Sequence, residues 1–241
     1  MKKIKKLFQE AKSSWFLFPV LFLLAAAGIC SVVKSRQTVS TDNSLVKYVV
    51  VIDCGHGGID PGKVGINGAY EKDVNLAIGL QLEKCLKQKG CQVIMTRNSD
   101  RGLYTEQDRN KKAADLKKRV EIMNEFDVDV VVSIHQNSFT QESSKGAQVF
   151  YYTSSQEGKD FAEVMQNTLK EKVDTDNHRA AKANSDYYIL RNSKAPAIII
   201  ECGFLSNSQE AQNLCDEGYQ QSMAEAVADG ISTYLVEKRK K

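Results

Sequence analysis

Two of the three histidines in this chain stand directly behind short apolar runs. His56 lies in Asp53-Cys54-Gly55-His56-Gly57-Gly58, after Tyr48–Ile52, and His135 lies in Ser133-Ile134-His135-Gln136-Asn137. Glu201 ends the run Ala197-Ile198-Ile199-Ile200 in the same way. Glu71 stands at the far end of a loop that carries Gly57, Gly58, Gly62, Gly65 and Gly68. Open α/β sheets build their sites where strands end and loops converge. Two imidazoles and a carboxylate meeting there form the ligand set of a catalytic zinc site, whose fourth position is left to water. A second carboxylate outside that set would then serve as general base. A single strand-end histidine is more often structural, but packing does not explain titratable residues at the ends of three strands.

The glycine loop has a rival reading as a phosphate cradle. Neither GxGxxG nor GxxxxGK[ST] occurs in it, which disfavours a nucleotide. The third histidine, in Asp176-Asn177-His178-Arg179, follows no strand-like run and reads as solvated.

The elements that must carry these residues follow from the hydrophobic pattern. Tyr48–Asp53, Gln92–Thr96, Asp129–His135, Ala147–Thr153 and Ala197–Glu201 are short β-branched or apolar runs, read as strands. Between them, residues 73–89, 106–126, 157–173 and 219–238 read as helices. In the first of these, Val74, Ala77, Ile78, Leu82, Cys85 and Leu86 recur at helical spacing before Gly90. Such alternation predicts one α/β domain over 48–238, with a single open, mostly parallel or mixed sheet and helices on both faces. No internal repeat and no second domain is expected. The closing Lys238-Arg239-Lys240-Lys241 suits a helix C-terminus.

Composition narrows the function. At 42% hydrophobic and 26% charged, with 15 Gly and 3 Pro in 241 residues, the chain is neither disordered, collagen-like nor a multi-span membrane protein. Its net charge of +3 is unevenly placed. Residues 1–47 hold eight Lys or Arg against Glu10 and Asp42, whereas the remainder holds 25 basic and 28 acidic side chains. A domain that neutralises phosphates needs a basic excess of its own, so nucleic acid is excluded as a partner.

The basic excess belongs to a targeting segment. Lys2, Lys3, Lys5, Lys6 and Lys12 form a cytoplasmic n-region over 1–12, and Ser13–Val33 carries no charge. That stretch is long enough for one membrane crossing. Lysines on its N-terminal side predict that everything after Lys34, the rest of the 34–47 linker included, is exported. Ala25-Ala26-Ala27 offers a cleavage site, but a retained signal anchor is the favoured reading. Cys30 is a poor lipoprotein cysteine because Ile29 precedes it. The irregular spacing of the six cysteines argues for free thiols, with Cys54–Cys202 the one bridge conceivable if their strands are neighbours.

Four segments, VVIDCGHGGIDPG, AYEKDVNLAIGLQLEKCLKQKGCQVIMTR, DVVVSIHQNS and PAIIIECGFLSN, resemble the zinc N-acetylmuramoyl-L-alanine amidases of the Amidase_3 type. They fall in the family order and span nearly all of 48–238. The resemblance implies that His56, Glu71 and His135 hold one zinc ion, that Glu201 is catalytic, and that Asn137 is a second-shell or substrate residue. Cys54 departs from the proline usual there; packing is its expected role, with inhibitory ligation or oxidation as alternatives.

Within the family, the Lys111–Arg119 stretch, the anchor and the lack of wall-binding repeats look most like the germination-specific branch of spore formers. That implies removal of peptides from cortex muramic acid before lactam formation. The short span from Asn137 to Ala147 leaves no room for an inhibitory helix, so restraint would come from location, zinc loading or a protein partner. A vegetative autolysin and a non-catalytic peptidoglycan-binding or regulatory module are the competing readings.

Overall fold

A computed structural model describes residues 48–240. Six strands form one sheet in the order β2-β1-β3-β6-β4-β5: β1 (Val49–Cys54), β2 (Gln92–Met95), β3 (Val130–Asn137), β4 (Gln148–Tyr152), β5 (Lys182–Asn184) and β6 (Ala197–Phe204). The first four in space run parallel; β4 is antiparallel to β6, and β5 is parallel to β4. The expectation of a mixed α/β sheet with helices on both faces is met. The n-region, the 13–33 segment, the linker and Cys30 lie outside the described residues. No helix among the described residues is long and apolar enough to cross a membrane.

Helices α1 (Glu71–Gln88), α3 (Gln156–Lys172) and α6 (Glu217–Lys238) cover one face. Their apolar stripes bury Ile78, Leu82, Phe161, Met165, Val227 and Ile231 against Val50, Ile52, Val132, Ile134, Ile198 and Ile200. The other face meets α2 (Lys111–Glu125) and α4 (Tyr188–Asn192), with Val51, Val131 and Ile199 packed against Met123, Ile189 and Leu190. Strands β1, β3 and β6 are thus apolar on both sides, which is why their sequences run β-branched without alternation. Each such side chain contributes about 1.5–3 kcal/mol of burial.

Side-chain caps mark the starts of α2, α3 and α6. Asn110 accepts from Ala113 N, Ser155 from Gly158 N and Asp216 from Tyr219 N. The helix expected to open at 106 therefore opens at Lys111. Asp108 folds back onto Thr105, accepting from both its N–H and its hydroxyl, and holds 105–108 in a turn. Three short elements escaped the sequence pattern: β5, α4 and α5 (Ser208–Cys215).

The conceivable Cys54–Cys202 bridge does not form. Strand β3 lies between β1 and β6, which sets those two strands about 9–10 Å apart, and Cys202 lies two residues beyond the Cys54 rung, out of reach of a disulfide. Both are free and buried, as are Cys85 and Cys91; Cys215 is free and exposed.

Candidate metal centre

The site lies at the carboxyl ends of β1, β3 and β6. His56 follows β1 in a left-handed conformation, φ 63°, and Gly57 and Gly58 continue the turn at positive φ. A non-glycine residue held there is strained, so its surroundings must over-determine it. Two buried arginines do this. Arg119 of α2 donates Nη1 to the Cys54 carbonyl and Nη2 to that of His56, while Arg97 donates to the carbonyls of Cys54, Gly55 and Lys72. Arg119 is itself held by Asp53 at 2.7 Å and Asp115 at 2.6 Å. Burial works against the Asp53 carboxylate, yet Arg119, Ser133 and Thr96 together keep its pKa below the ordinary value. Both arginines lie in stretches that carry the family likeness, but the sequence pattern assigned neither a role: Arg97 simply follows β2, and Arg119 is one cation among several in a charged helix.

Glu71 is the first residue of α1, where the helix dipole favours a carboxylate. It is buried. Its Oε2 accepts from Lys63 N at 2.8 Å and its Oε1 from Gln136 N at 3.0 Å. The same Oε1 lies 3.2 Å from His56 Nε2 and 3.0 Å from His135 Nδ1. Burial opposes ionisation of Glu71, but the two imidazoles outweigh it and hold the pKa far down. Gly55 is required beside this cluster, since a Cβ there would fall 2.3 Å from the His135 ring.

One ligand atom from each of His56, Glu71 and His135 can be chosen with all three within 4.8 Å of one another. An ion bound at 2.0–2.1 Å in a tetrahedron has ligand–ligand edges of about 3.3 Å. The 3.0 and 3.2 Å contacts are close to such edges, so the donor set fits a divalent ion. Asp60 orients His56 from behind. Its Oδ2 meets His56 Nδ1 at 3.0 Å, and its Oδ1 meets Lys112 Nζ at 2.9 Å and Gly62 N at 3.3 Å. Burial alone would lower the His56 pKa, but Glu71 and Asp60 raise it. Asp60 was not among the residues expected from sequence. A carboxylate four residues from a strand-end histidine was the available sign.

Glu201 pairs in register with His135 across β3 and β6, so both side chains leave the same face of the sheet. It is buried, and its Oε2 has no hydrogen-bond partner. Burial and Glu71 push its pKa up, while His135, His56 and the Tyr187 hydroxyl pull it down; the net shift is upward. Tyr187, also unforeseen, is delivered by the β5–α4 connection and is pushed up to about 12 by burial and Glu201. Beyond Glu201 the register slips: His135 pairs with Glu201 but Asn137 pairs with Phe204. This bulge turns Phe204 onto the site face, beside Asn137. Asn137 is half-buried there, and its Oδ1 accepts from Ser138 N. Cys54 leaves the opposite face, against Gly79, and burial pushes its thiol up to about 12. It packs rather than facing the imidazoles. His178 is exposed and apart from the cluster.

A hollow of about 130 Å³ adjoins the histidines, walled by Tyr104, Lys111, Lys112, Leu116 and Ile189. It provides room for substrate beside the ligand set.

The family model described as N-acetylmuramoyl-L-alanine amidase matches residues 50–233. The chain belongs to that family. It is an N-acetylmuramoyl-L-alanine amidase, and its substrate is peptidoglycan. Among its relatives, the germination-specific N-acetylmuramoyl-L-alanine amidase of Bacillus subtilis (strain 168) is 35% identical over 193 residues, covering 79% of this chain and 81% of the relative. The CwlD amidase of Clostridioides difficile, solved in complex with the GerS lipoprotein, superposes with TM-score 0.76 at 41% identity, covering 78% of this chain and 98% of that one. The amidase AmiC2 of Nostoc punctiforme gives TM-score 0.69 at 38% identity, covering 78% and 97%.

Proposed function

We propose that this amidase is zinc-dependent, acts outside the cytoplasm and strips stem peptides from spore-cortex peptidoglycan. His56, Glu71 and His135 would hold the zinc, and Glu201 would be the general base. The observation that carries this reading is the placing of Glu201 on the same sheet face and register rung as His135, beside the three-donor cluster. When bound, zinc supplies a Lewis acid for the lactyl carbonyl and acidifies a water toward a pKa of about 7.

The protein's part is orientation and proton transfer. Glu71, fixed by two backbone N–H groups, and His56, fixed by Asp60, present their donor atoms without rearrangement. Glu201 takes a proton from the attacking water and delivers it to the L-alanine nitrogen as the amide breaks. Its raised pKa suits both halves of that transfer, since a carboxylate at its ordinary value returns a proton poorly near neutrality. Asn137, on the same face, is positioned to contact substrate.

The cortex role rests on likeness to the germination-specific relatives. Export and anchoring rest on the five lysines followed by the uncharged 13–33 segment, with 34–47 as linker and 48–238 as catalytic domain. A lipoprotein partner resembling the one bound by the Clostridioides difficile CwlD amidase is part of the same proposal.

The test gives the zinc-loaded full chain cortex and vegetative peptidoglycan separately, with mass spectrometry for free peptides beginning with L-alanine. Release from cortex material by the wild type, and roughly 10²–10⁴-fold less by a Glu201→Gln variant that keeps its metal, is expected. Preference for vegetative wall would make the chain an autolysin. Zinc retention with no cleavage of either, with or without a partner, would leave a binding module.

A further inference from the structure

Arg179 forms no ion pair among the described residues, although its charge reaches the Glu210 carboxylate. Its guanidinium lies over the Phe204 ring, 4.6 Å from the centroid. Nε donates to the Lys145 carbonyl at 2.7 Å and Nη1 to Gln148 Oε1 at 3.2 Å. Nη2 makes no hydrogen bond among the described residues. The nearby acid, Glu210, is committed elsewhere: its Oε1 accepts from Gly146 N and its Oε2 from Phe204 N, both at 2.8 Å. Arg179 is only half-buried, so the free end of its fork is reachable.

Its position relative to Glu201 follows from the sheet. Gln148 pairs directly with Glu201 across the antiparallel β4–β6 ladder, which puts both side chains on one face about 4.5–5.5 Å apart. Arg179 is hydrogen-bonded to that Gln148, and the β6 bulge turns its aromatic seat, Phe204, onto the same face. The row on this face therefore reads His135, Glu201, Gln148, Arg179. The guanidinium stands one side chain beyond the proposed base, on the side away from Lys111 and Lys112. A planar fork fixed at Nε and Nη1, with Nη2 free, is suited to a carboxylate.

The stem peptide brings one close to the bond that is cut. Its second residue is a glutamate joined through its side-chain carboxyl, so its α-carboxyl is presented free or as a primary amide. That group lies one residue, about 3.8 Å between Cα atoms, beyond the L-alanine whose amide is cut. We propose that Arg179 binds the free α-carboxylate of this second residue and makes the enzyme select stems in which it is not amidated. The proposal rests on the assignment of Glu201 and the His56–Glu71–His135 cluster as the reaction centre.

The experiment compares two muropeptides, identical except for a free or amidated α-carboxyl on the second residue, using the zinc-loaded full chain. Wild type should cleave the free-acid form with a KM roughly 10–100-fold lower, as expected for one charge-assisted contact. Arg179→Ala should raise KM for the free acid by that factor, leave kcat within about twofold, and change neither constant for the amide. Arg179→Lys should recover part of the loss. Asn177 pins the same loop, accepting from Arg179 N and donating to the Ala147 carbonyl, so the Ala variant keeps its anchorage and its Tm should hold. Equal wild-type kinetics on both forms, or an equal loss by Arg179→Ala on both, would overturn the role of Arg179 while leaving the amidase intact. Cleavage of neither form by the wild type would instead sink the reaction centre on which it rests.

Discussion

At the scale of single residues, the geometry separates groups that would hold a metal from groups that tune them. Asp60 touches no reacting atom but fixes the outer nitrogen of His56. Carboxylates behind metal-binding histidines set the ring's tautomer and basicity, and their loss costs about 10–100-fold in affinity. Asp60→Ala should weaken zinc binding by that factor in a competition titration against a chromophoric chelator, with the fold intact by circular dichroism. Unchanged affinity would show that the strained turn alone orients His56. Tyr187 acts on the other partner. Its hydroxyl is one of the influences that pull the Glu201 pKa down against burial. Tyr187→Phe removes that influence, so the acid limb of the kcat/KM profile should move to higher pH. A limb that stays in place, or moves lower, would remove Glu201 as the group it reports.

At the scale of elements, the four residues come together because strand ends and one helix start are locked to each other. The parallel strands, their apolar faces and the position of His56 just past β1 were legible in the sequence, since β-branched runs and a 3.6-residue period report burial directly; His135 and Glu201, expected to end their strands, lie inside β3 and β6, which run on to Asn137 and Phe204. The start of α2 was misplaced, because the Asp108–Thr105 turn overrides a run of helix-compatible charges. Strand β5 and helix α4 have three and five residues, too few for a period to emerge, and Tyr187 was missed with them. The arginine clamp was invisible for another reason: whether an arginine is solvated or buried beneath a turn depends on tertiary register alone. That clamp can be tested. Arg119 is buried against Asp53, and removing one partner of such a pair costs about 3–5 kcal/mol by stranding the other. Arg119→Met should destabilise the protein by that amount in urea unfolding. Zinc affinity should also fall under native conditions, because the His56 carbonyl loses its donor. Destabilisation with affinity unchanged would make the clamp a fold element only.

At the scale of the whole molecule, the same charges couple stability to pH and to metal. Asp53, Asp60 and Glu71 all have folded pKa values below their ordinary ones. Depressed carboxylates add stability that is present above their unfolded values, about 4, and is lost as pH falls through the folded ones. His56 has the opposite sign. Its folded pKa is raised above 6.5, so its contribution is complete below that value and fades as pH rises through the folded pKa. The combined contribution of these four groups to the metal-free protein is therefore greatest between about pH 4 and 6.5, and the His56 part of it is lost above that range. Metal binding requires neutral imidazole, so it displaces the proton that His56 holds and strengthens as pH rises. The two trends diverge. The Tm of zinc-loaded protein should exceed that of chelator-treated protein by a margin that widens steadily from about pH 5.5 to 8. A margin independent of pH would mean that no proton leaves on binding, and would remove His56 from the ligand set. A margin that widens in wild type but stays flat in a His56→Ala variant would identify that imidazole as the group linking the metal to the stability of the fold.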